Sequence, residues 1–103
     1  GEPIIAAAKG VVVFSGWTYE HGNMIILYHG DGYFTHYGHN KINFLEQLDM
    51  VEKGDVIGLV GNTGVSSGPH LHFEVWKEFK PLDPLTFFPE YKTLDLKSYN
   101  EQN

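Results

Sequence analysis

Short runs of β-branched and aromatic residues, each closed by glycine, leave this chain few folds to choose from. "GVVVFSGW" (Gly10–Trp17) and "NMIILYH" (Asn23–His29) are such runs, and "YFTHYGH" (Tyr33–His39) follows the second after only "GDG" (Gly30–Gly32). Two strand-like runs separated by so short a glycine-aspartate link read as a β-hairpin. "MVEKGDVIGLVGNTG" (Met50–Gly64) repeats the pattern, with a strand, a Lys-Gly turn, a second strand and a polar loop. "HLHFEVW" (His70–Trp76) alternates as a strand does, and "KPLDPLTFF" (Lys80–Phe88), broken by proline, wraps the body of the domain. Within "NKINFLEQLD" (Asn40–Asp49), Ile42, Leu45 and Leu48 are spaced for a short helical turn. With 12 glycines against 5 prolines, the chain is read as all-β: about six to eight short strands in a compact hybrid of sandwich and partly closed barrel. At 103 residues one domain is expected, with residues 1–88 as its core and 89–103 as a polar C-terminal tail.

Charge narrows the possible partners. The net charge is -6 and all 7 basic residues are lysines. A chain without arginine lacks the planar fork that pairs bidentately with phosphate, and an acidic one repels a nucleic-acid backbone, so nucleic acid is not an expected partner. There is no cysteine, which removes disulfides and thiolate metal sites. No apolar run approaches the roughly 18 residues of a membrane-spanning helix. The first residue is Gly1 rather than methionine, as in a processed form.

Any metal or acid–base chemistry must therefore come from the six histidines and the carboxylates. On a strand, side chains two apart share a face and stand roughly 6.7 Å apart, so His70 and His72 point the same way. Pro69 favours an extended Gly68 and a strand beginning, where a site stays open. Glu74 lies on the same face. It is about 13 Å from His70 along the strand, too far to share an ion with it, but close enough to support His72 from behind. In "YFTHYGH", strict alternation puts Tyr33, Thr35, Tyr37 and His39 on one face and Phe34, His36 and Gly38 on the other. His36 then joins His39 only if a bulge intervenes. His21, His29 and His36 read as structural histidines bonded to turn backbone, and Lys53 as a solvated turn lysine. Asn62, Ser66 and Ser67 precede the histidine pair in a loop, but no base adjoins the serines to make either a nucleophile.

"GEPIIAAAKGVVVFSGW", "GNMIILYHGDGYFTHYGH", "VEKGDVIGLVGNTGVSSGPHLHFEVW" and "LDPLTFF", in that order, resemble the catalytic core of the lysostaphin-like (LytM-type) zinc metallopeptidases. The resemblance runs from Gly1 to about Phe88, and "GNTGVSSGPHLHFEV" with "YGH" upstream is its most specific part. It implies a small antiparallel β domain with a groove, located in the bacterial cell envelope, periplasmic or extracellular. The implied activity is zinc-dependent hydrolysis of peptide bonds in cell-wall peptidoglycan. By the same resemblance His72 binds zinc, His70 is a catalytic acid/base, and His39 of "YGH" is its catalytic partner.

The family draws two more zinc ligands from a His-x-x-x-Asp motif just before the segment that begins here at Gly1. No internal copy exists: His21, His29, His36 and His39 are followed four residues later by Ile25, Tyr33, Asn40 and Asn43. Three explanations stand. The remaining ligands belong to another segment or a second polypeptide; or the chain is a degenerate relative that binds peptidoglycan or regulates a cell-wall amidase; or His39, His70 and His72 form a three-histidine site alone. A phosphohistidine carrier of the sugar phosphotransferase kind also uses paired histidines on a β fold. The absence of arginine and the run "PHLHFEV" count against it.

Overall fold

A computed structural model describes residues 1–64, 68 and 70–87. The chain forms one antiparallel sheet that curls into a half-barrel. Its strands are β1 (Pro3–Ile5), β2 (Gly10–Thr18), β3 (Gly22–Gly30), β4 (Tyr33–Asn43), β5 (Met50–Val51), β6 (Val56–Val60), β7 (His72–Lys77) and β8 (Lys80–Leu82), and one helical turn, α1 (Pro84–Phe87), follows. The hairpin expected at Gly30–Gly32 joins β3 to β4. Spatial order is β1-β6-β4-β3-β2-β5, with β7 paired to β4 and β8 to β7. β4 sets the curvature. One of its edges follows β3, while the other is divided between β7 over Tyr33–Gly38 and β6 over Asn40–Asn43. No described helix is long and apolar enough to cross a membrane.

Alternation decides what is buried. Across β3, β4 and β7 the pairs Ile25↔Tyr37, Leu27↔Thr35, Tyr37↔Phe73 and Thr35↔Val75 stand on one face. With Ile4, Val12 and Ile57 they make the core, in which Ile25, Leu27, Tyr37 and Phe73 are fully buried. Each such apolar side chain contributes about 1.5–3 kcal/mol on leaving water. The intervening residues of β4 and β7, among them His36, Gly38, His72 and Glu74, face the other way.

Three expectations are corrected. The stretch Asn40–Asp49 is not helical: β4 continues to Asn43 and the chain then turns, because Asn40–Asn43 find backbone partners on β6. β7 begins at His72, so His70 precedes the strand; its amide donates to Gly61 O at 3.1 Å instead of to a sheet neighbour. His39 does not share the face of Tyr33, Thr35 and Tyr37, for the reason given below. The loop serines Ser66 and Ser67 and the expected tail 89–103 lie outside the described residues.

The core also holds one ordered polar chain. His29 Nδ1 donates to Lys9 O at 2.7 Å, so Nε2 accepts from the Thr35 hydroxyl, also at 2.7 Å. Thr35 Oγ1 in turn lies 2.8 Å from the Tyr37 hydroxyl, which accepts from Ala7 N at 3.0 Å. Lys9 O only accepts and Ala7 N–H only donates, so the two ends fix every hydrogen between them. His29 is thus structural, as expected, but its backbone partner is Lys9 rather than the hairpin turn. Tyr37→Phe leaves the buried Ala7 N–H without its acceptor and should lower unfolding free energy by about 1–3 kcal/mol in urea titration. A loss below about 0.5 kcal/mol would show that the chain of bonds contributes nothing net.

Candidate metal centre

A bulge brings the histidines together. Between β3 and β4 the register passes from Ile25↔Tyr37 to Asn23↔Asn40, so Gly38 and His39 both stand opposite Met24. His39 takes φ 61°, a left-handed conformation that costs a non-glycine residue on the order of 1 kcal/mol or more. Its amide is held there by His21 O. The extra residue turns the His39 side chain off the core face to meet the rings of His72 at 5.2 Å, His70 at 5.1 Å and His21 at 5.9 Å between centroids.

The loop after β6 fixes which nitrogen of His39 carries hydrogen. Gly22 (φ 62°) and Gly64 (φ 73°) meet backbone to backbone: a Cβ on Gly64 would lie 2.2 Å from Gly22 N. Between them Thr63 donates its hydroxyl to Asn40 O at 2.7 Å and accepts from Asn23 N at 3.1 Å. So anchored, Thr63 O accepts from His39 Nδ1 at 2.6 Å. A carbonyl only accepts, so the hydrogen is on Nδ1 and Nε2 is the basic nitrogen. His70 follows the same rule, with Nδ1 donating to Gly68 O at 2.7 Å.

His72 is oriented the opposite way round. Its Nε2 donates to Glu74 Oε2 at 2.8 Å, which makes Nδ1 its basic nitrogen. The expected support of His72 by Glu74 is therefore present as a hydrogen bond. Glu74 is buried and central to the cluster: Trp76 Nε1 donates to its Oε1 at 2.6 Å, His21 Nε2 is 3.4 Å from Oε2, and His36 Nδ1 is 3.9 Å from Oε1. Burial opposes its ionisation, but hydrogen bonds from His21, His72 and Trp76 outweigh that and hold the carboxyl well below its usual range. Burial lowers His36 to about 4, and His36 stacks on Trp76 at 5.6 Å. Burial also lowers His39, against the raising effect of the Thr63 carbonyl, so its imidazole is neutral at pH 7.

His39, His70 and His72, expected to act together, are adjacent, with one possible ligand atom from each within 4.8 Å of the others. His21, expected to be a turn histidine, is instead part of the cluster, its ring 4.7 Å from that of His72. His36 likewise faces Glu74 rather than a turn. A signal for His21 was available: counting outward from the hairpin turn sets Asn23 beside the end of "YGH", with His21 two residues beyond. Asn62 is exposed in its loop, and Lys53 is exposed in the turn between β5 and β6, as expected. Next to Glu74 a cleft of about 360 Å³ is lined by Phe14, Ile26, Phe34, His36, Trp76 and Phe79, among others.

The donor set suits zinc. It offers imidazole nitrogens and a carboxylate, and the hydrogen bond from His72 to Glu74 is the arrangement found behind metal-ligating histidines.

A half-barrel with imidazoles gathered on the face away from its core is the architecture of a family of metallopeptidases. The chain belongs to it: the model of Peptidase family M23 matches residues 1–84. The chain is 40% identical over 86 residues to DD-carboxypeptidase/endopeptidase Mpg of Neisseria meningitidis, covering 84% of this chain and 20% of that protein. It is 38% identical over 91 residues to the murein hydrolase activator NlpD of Escherichia coli, covering 87% and 24%. The catalytic domain of the antimicrobial peptidase lysostaphin from Staphylococcus simulans superposes with TM-score 0.80 at 34% identity, over 86% of this chain and 71% of that one. A zinc-containing peptidase from Vibrio cholerae gives 0.78 at 34% identity, over 81% and 26%. The chain thus spans between a fifth and a quarter of the length of the two sequence relatives.

Gly64→Ala tests the loop anchor. It adds a Cβ where none fits, at a φ that disfavours one, and should destabilise by more than about 1 kcal/mol. The His39 ring should lose its single Nδ1–H tautomer in long-range ¹H–¹⁵N spectra. Unchanged stability and tautomer would refute the anchoring role.

Proposed function

We propose that the chain is part of a zinc-dependent endopeptidase that cuts peptide bonds in bacterial cell-wall peptidoglycan, working in the cell envelope. The observation that carries this reading is the division of labour among the rings. His39 and His70 are held on carbonyls with Nε2 basic, whereas His72 is held on a carboxylate with Nδ1 basic. The first arrangement suits proton transfer and the second suits metal ligation.

In this reading His72 binds zinc through Nδ1, together with ligands from another segment or a second polypeptide. Zinc, when bound, polarises the scissile carbonyl and makes water more acidic. His39, neutral at pH 7, takes a proton from the attacking water at Nε2. The proton His39 takes up is returned to the leaving amine, directly or through Nε2 of the adjacent His70 ring, and the Gly68 and Thr63 carbonyls keep both rings aligned as their charge changes. Glu74 holds the His72 ring and balances positive charge beside it. The apolar cleft past Trp76 accepts a substrate side chain and excludes water from one flank.

The likeness to a murein hydrolase activator favours a second reading, in which the domain binds peptidoglycan or regulates a cell-wall amidase without cutting. One assay separates the two. Purified peptidoglycan is incubated with the protein, and released peptides are measured with zinc, with a chelator and after zinc is restored. A peptidase releases peptides, stops with chelator and recovers. His70→Ala should cut turnover about 10²–10⁴-fold with zinc content intact, while His72→Ala should lose the zinc. Chelator-insensitive release would sink the zinc mechanism. No release by the protein alone, with faster release by an added amidase, would establish the second reading.

A further inference from the structure

The Glu74 side of the cluster has the makings of a metal centre of its own. His21 Nε2 lies 3.4 Å and His72 Nε2 2.8 Å from the same oxygen, Glu74 Oε2. One ligand atom from each of His21, His72 and Glu74 lies within 4.8 Å of the others. Zinc bonds of about 2.0–2.1 Å in a tetrahedron separate neighbouring ligand atoms by about 3.3 Å, so small ring rotations suffice to admit an ion. The other carboxylate oxygen is already occupied, since Trp76 Nε1 donates to Oε1 at 2.6 Å. That leaves Oε2 to bind in a monodentate way, with the hydrogen-bonded backing that ligating carboxylates normally have. His72 and Glu74 are buried, whereas the His21 side chain is 25% exposed and gives an ion a way in.

We propose that His21, His72 and Glu74 form a second divalent-metal site, of two imidazoles and one carboxylate, that shares the His72 ring with the catalytic centre but uses its Nε2 nitrogen. The group His39, His70 and His72 is the competing location within the chain. It offers three imidazoles and no carboxylate, so a divalent ion there keeps its full charge, whereas Glu74 neutralises half of it. Occupation of the proposed site moves the His72 hydrogen from Nε2 to Nδ1, and no proton leaves the ring. A neutral imidazole has one lone pair on nitrogen for a metal, so His72 serves one centre at a time. The site therefore fills when Nδ1 of His72 is not engaged by zinc. It rests on the proposed function only in that zinc at Nδ1 of His72 would compete for the same ring.

The test is zinc binding to the purified protein, measured by competition with a chromogenic chelator and followed by histidine ¹⁵N shifts. One equivalent should bind, and the Nε2 signals of His21 and His72 should move while those of His70 stay. His21→Ala should weaken binding by roughly 100-fold or more, and Trp76→Phe, which removes only the hydrogen bond to Oε1, by roughly 10-fold. Circular dichroism of both metal-free variants checks folding, and the wild-type ¹⁵N shifts decide the question even if a variant misfolds. The proposal is overturned if the protein binds no zinc, if His70→Ala abolishes binding while His21→Ala does not, or if the shifts fall on His39 and His70. Because no readout is proteolysis, the result stands apart from whether the protein cuts peptidoglycan.

Discussion

The register between β4 and β7 governs everything on the face away from the core. Pairing Tyr37 with Phe73 places both rings in the core; pairing Gly38 with His72 and His36 with Glu74 places the polar set opposite. A slip of β7 by one residue would exchange its two faces, turning the ionised Glu74 carboxylate toward Ile25, Leu27 and Ile57 and taking Phe73 and Val75 out of the core. The core therefore specifies the site. The apolar residues of β7, Phe73 and Val75, are what oblige His72 and Glu74 to point where they do.

Within that frame, the hydrogen-bond partners separate three chemically identical side chains. A carbonyl partner, as at His39 and His70, fixes a tautomer but adds no charge. A carboxylate partner fixes the other tautomer and also makes the ring more electron-rich, which favours a metal over a proton shuttle. Sequence distance does not predict this division. His70 and His72 are two residues apart, yet one is held by Gly68 just outside β7 and the other by Glu74 within it.

Strand-forming runs, the hairpin turn and the sheet class were legible in the sequence because each depends on local chemistry: β-branched alternation, glycine turns and a short Gly-Asp-Gly link. His72 and Glu74 were legible as a pair for the same reason. The face of His39 was not. Alternation assigned it to the side of Tyr37, and only the bulge at Gly38–His39 moves it across. That bulge is sustained by long-range contacts, from His21 O to the His39 amide and from Thr63 O to the ring, which no local pattern contains. His21 was missed likewise: in its own neighbourhood it is a turn histidine, and its chemistry comes from Glu74, far away along the chain. The helical reading of Asn40–Asp49 failed because backbone pairing with β6 outweighed a weak apolar spacing.

The energetics of Glu74 bear on what the domain is for. A buried carboxylate loses several kcal/mol of hydration that hydrogen bonds must recover, and a threonine on the same strand would bury at far lower cost. Here recovery takes donors from His72 and Trp76 and the nearby ring of His21. His39 adds a left-handed backbone conformation to bring its ring alongside. A surface that only binds a partner gains little from such an assembly, since apolar contact and exposed hydrogen bonds supply affinity without burying a charge. Imidazoles held in defined tautomers around one ionised carboxylate serve where protons and a metal ion must be placed. That asymmetry weighs toward the peptidase reading over the activator reading, although sequence similarity extends to proteins of both descriptions.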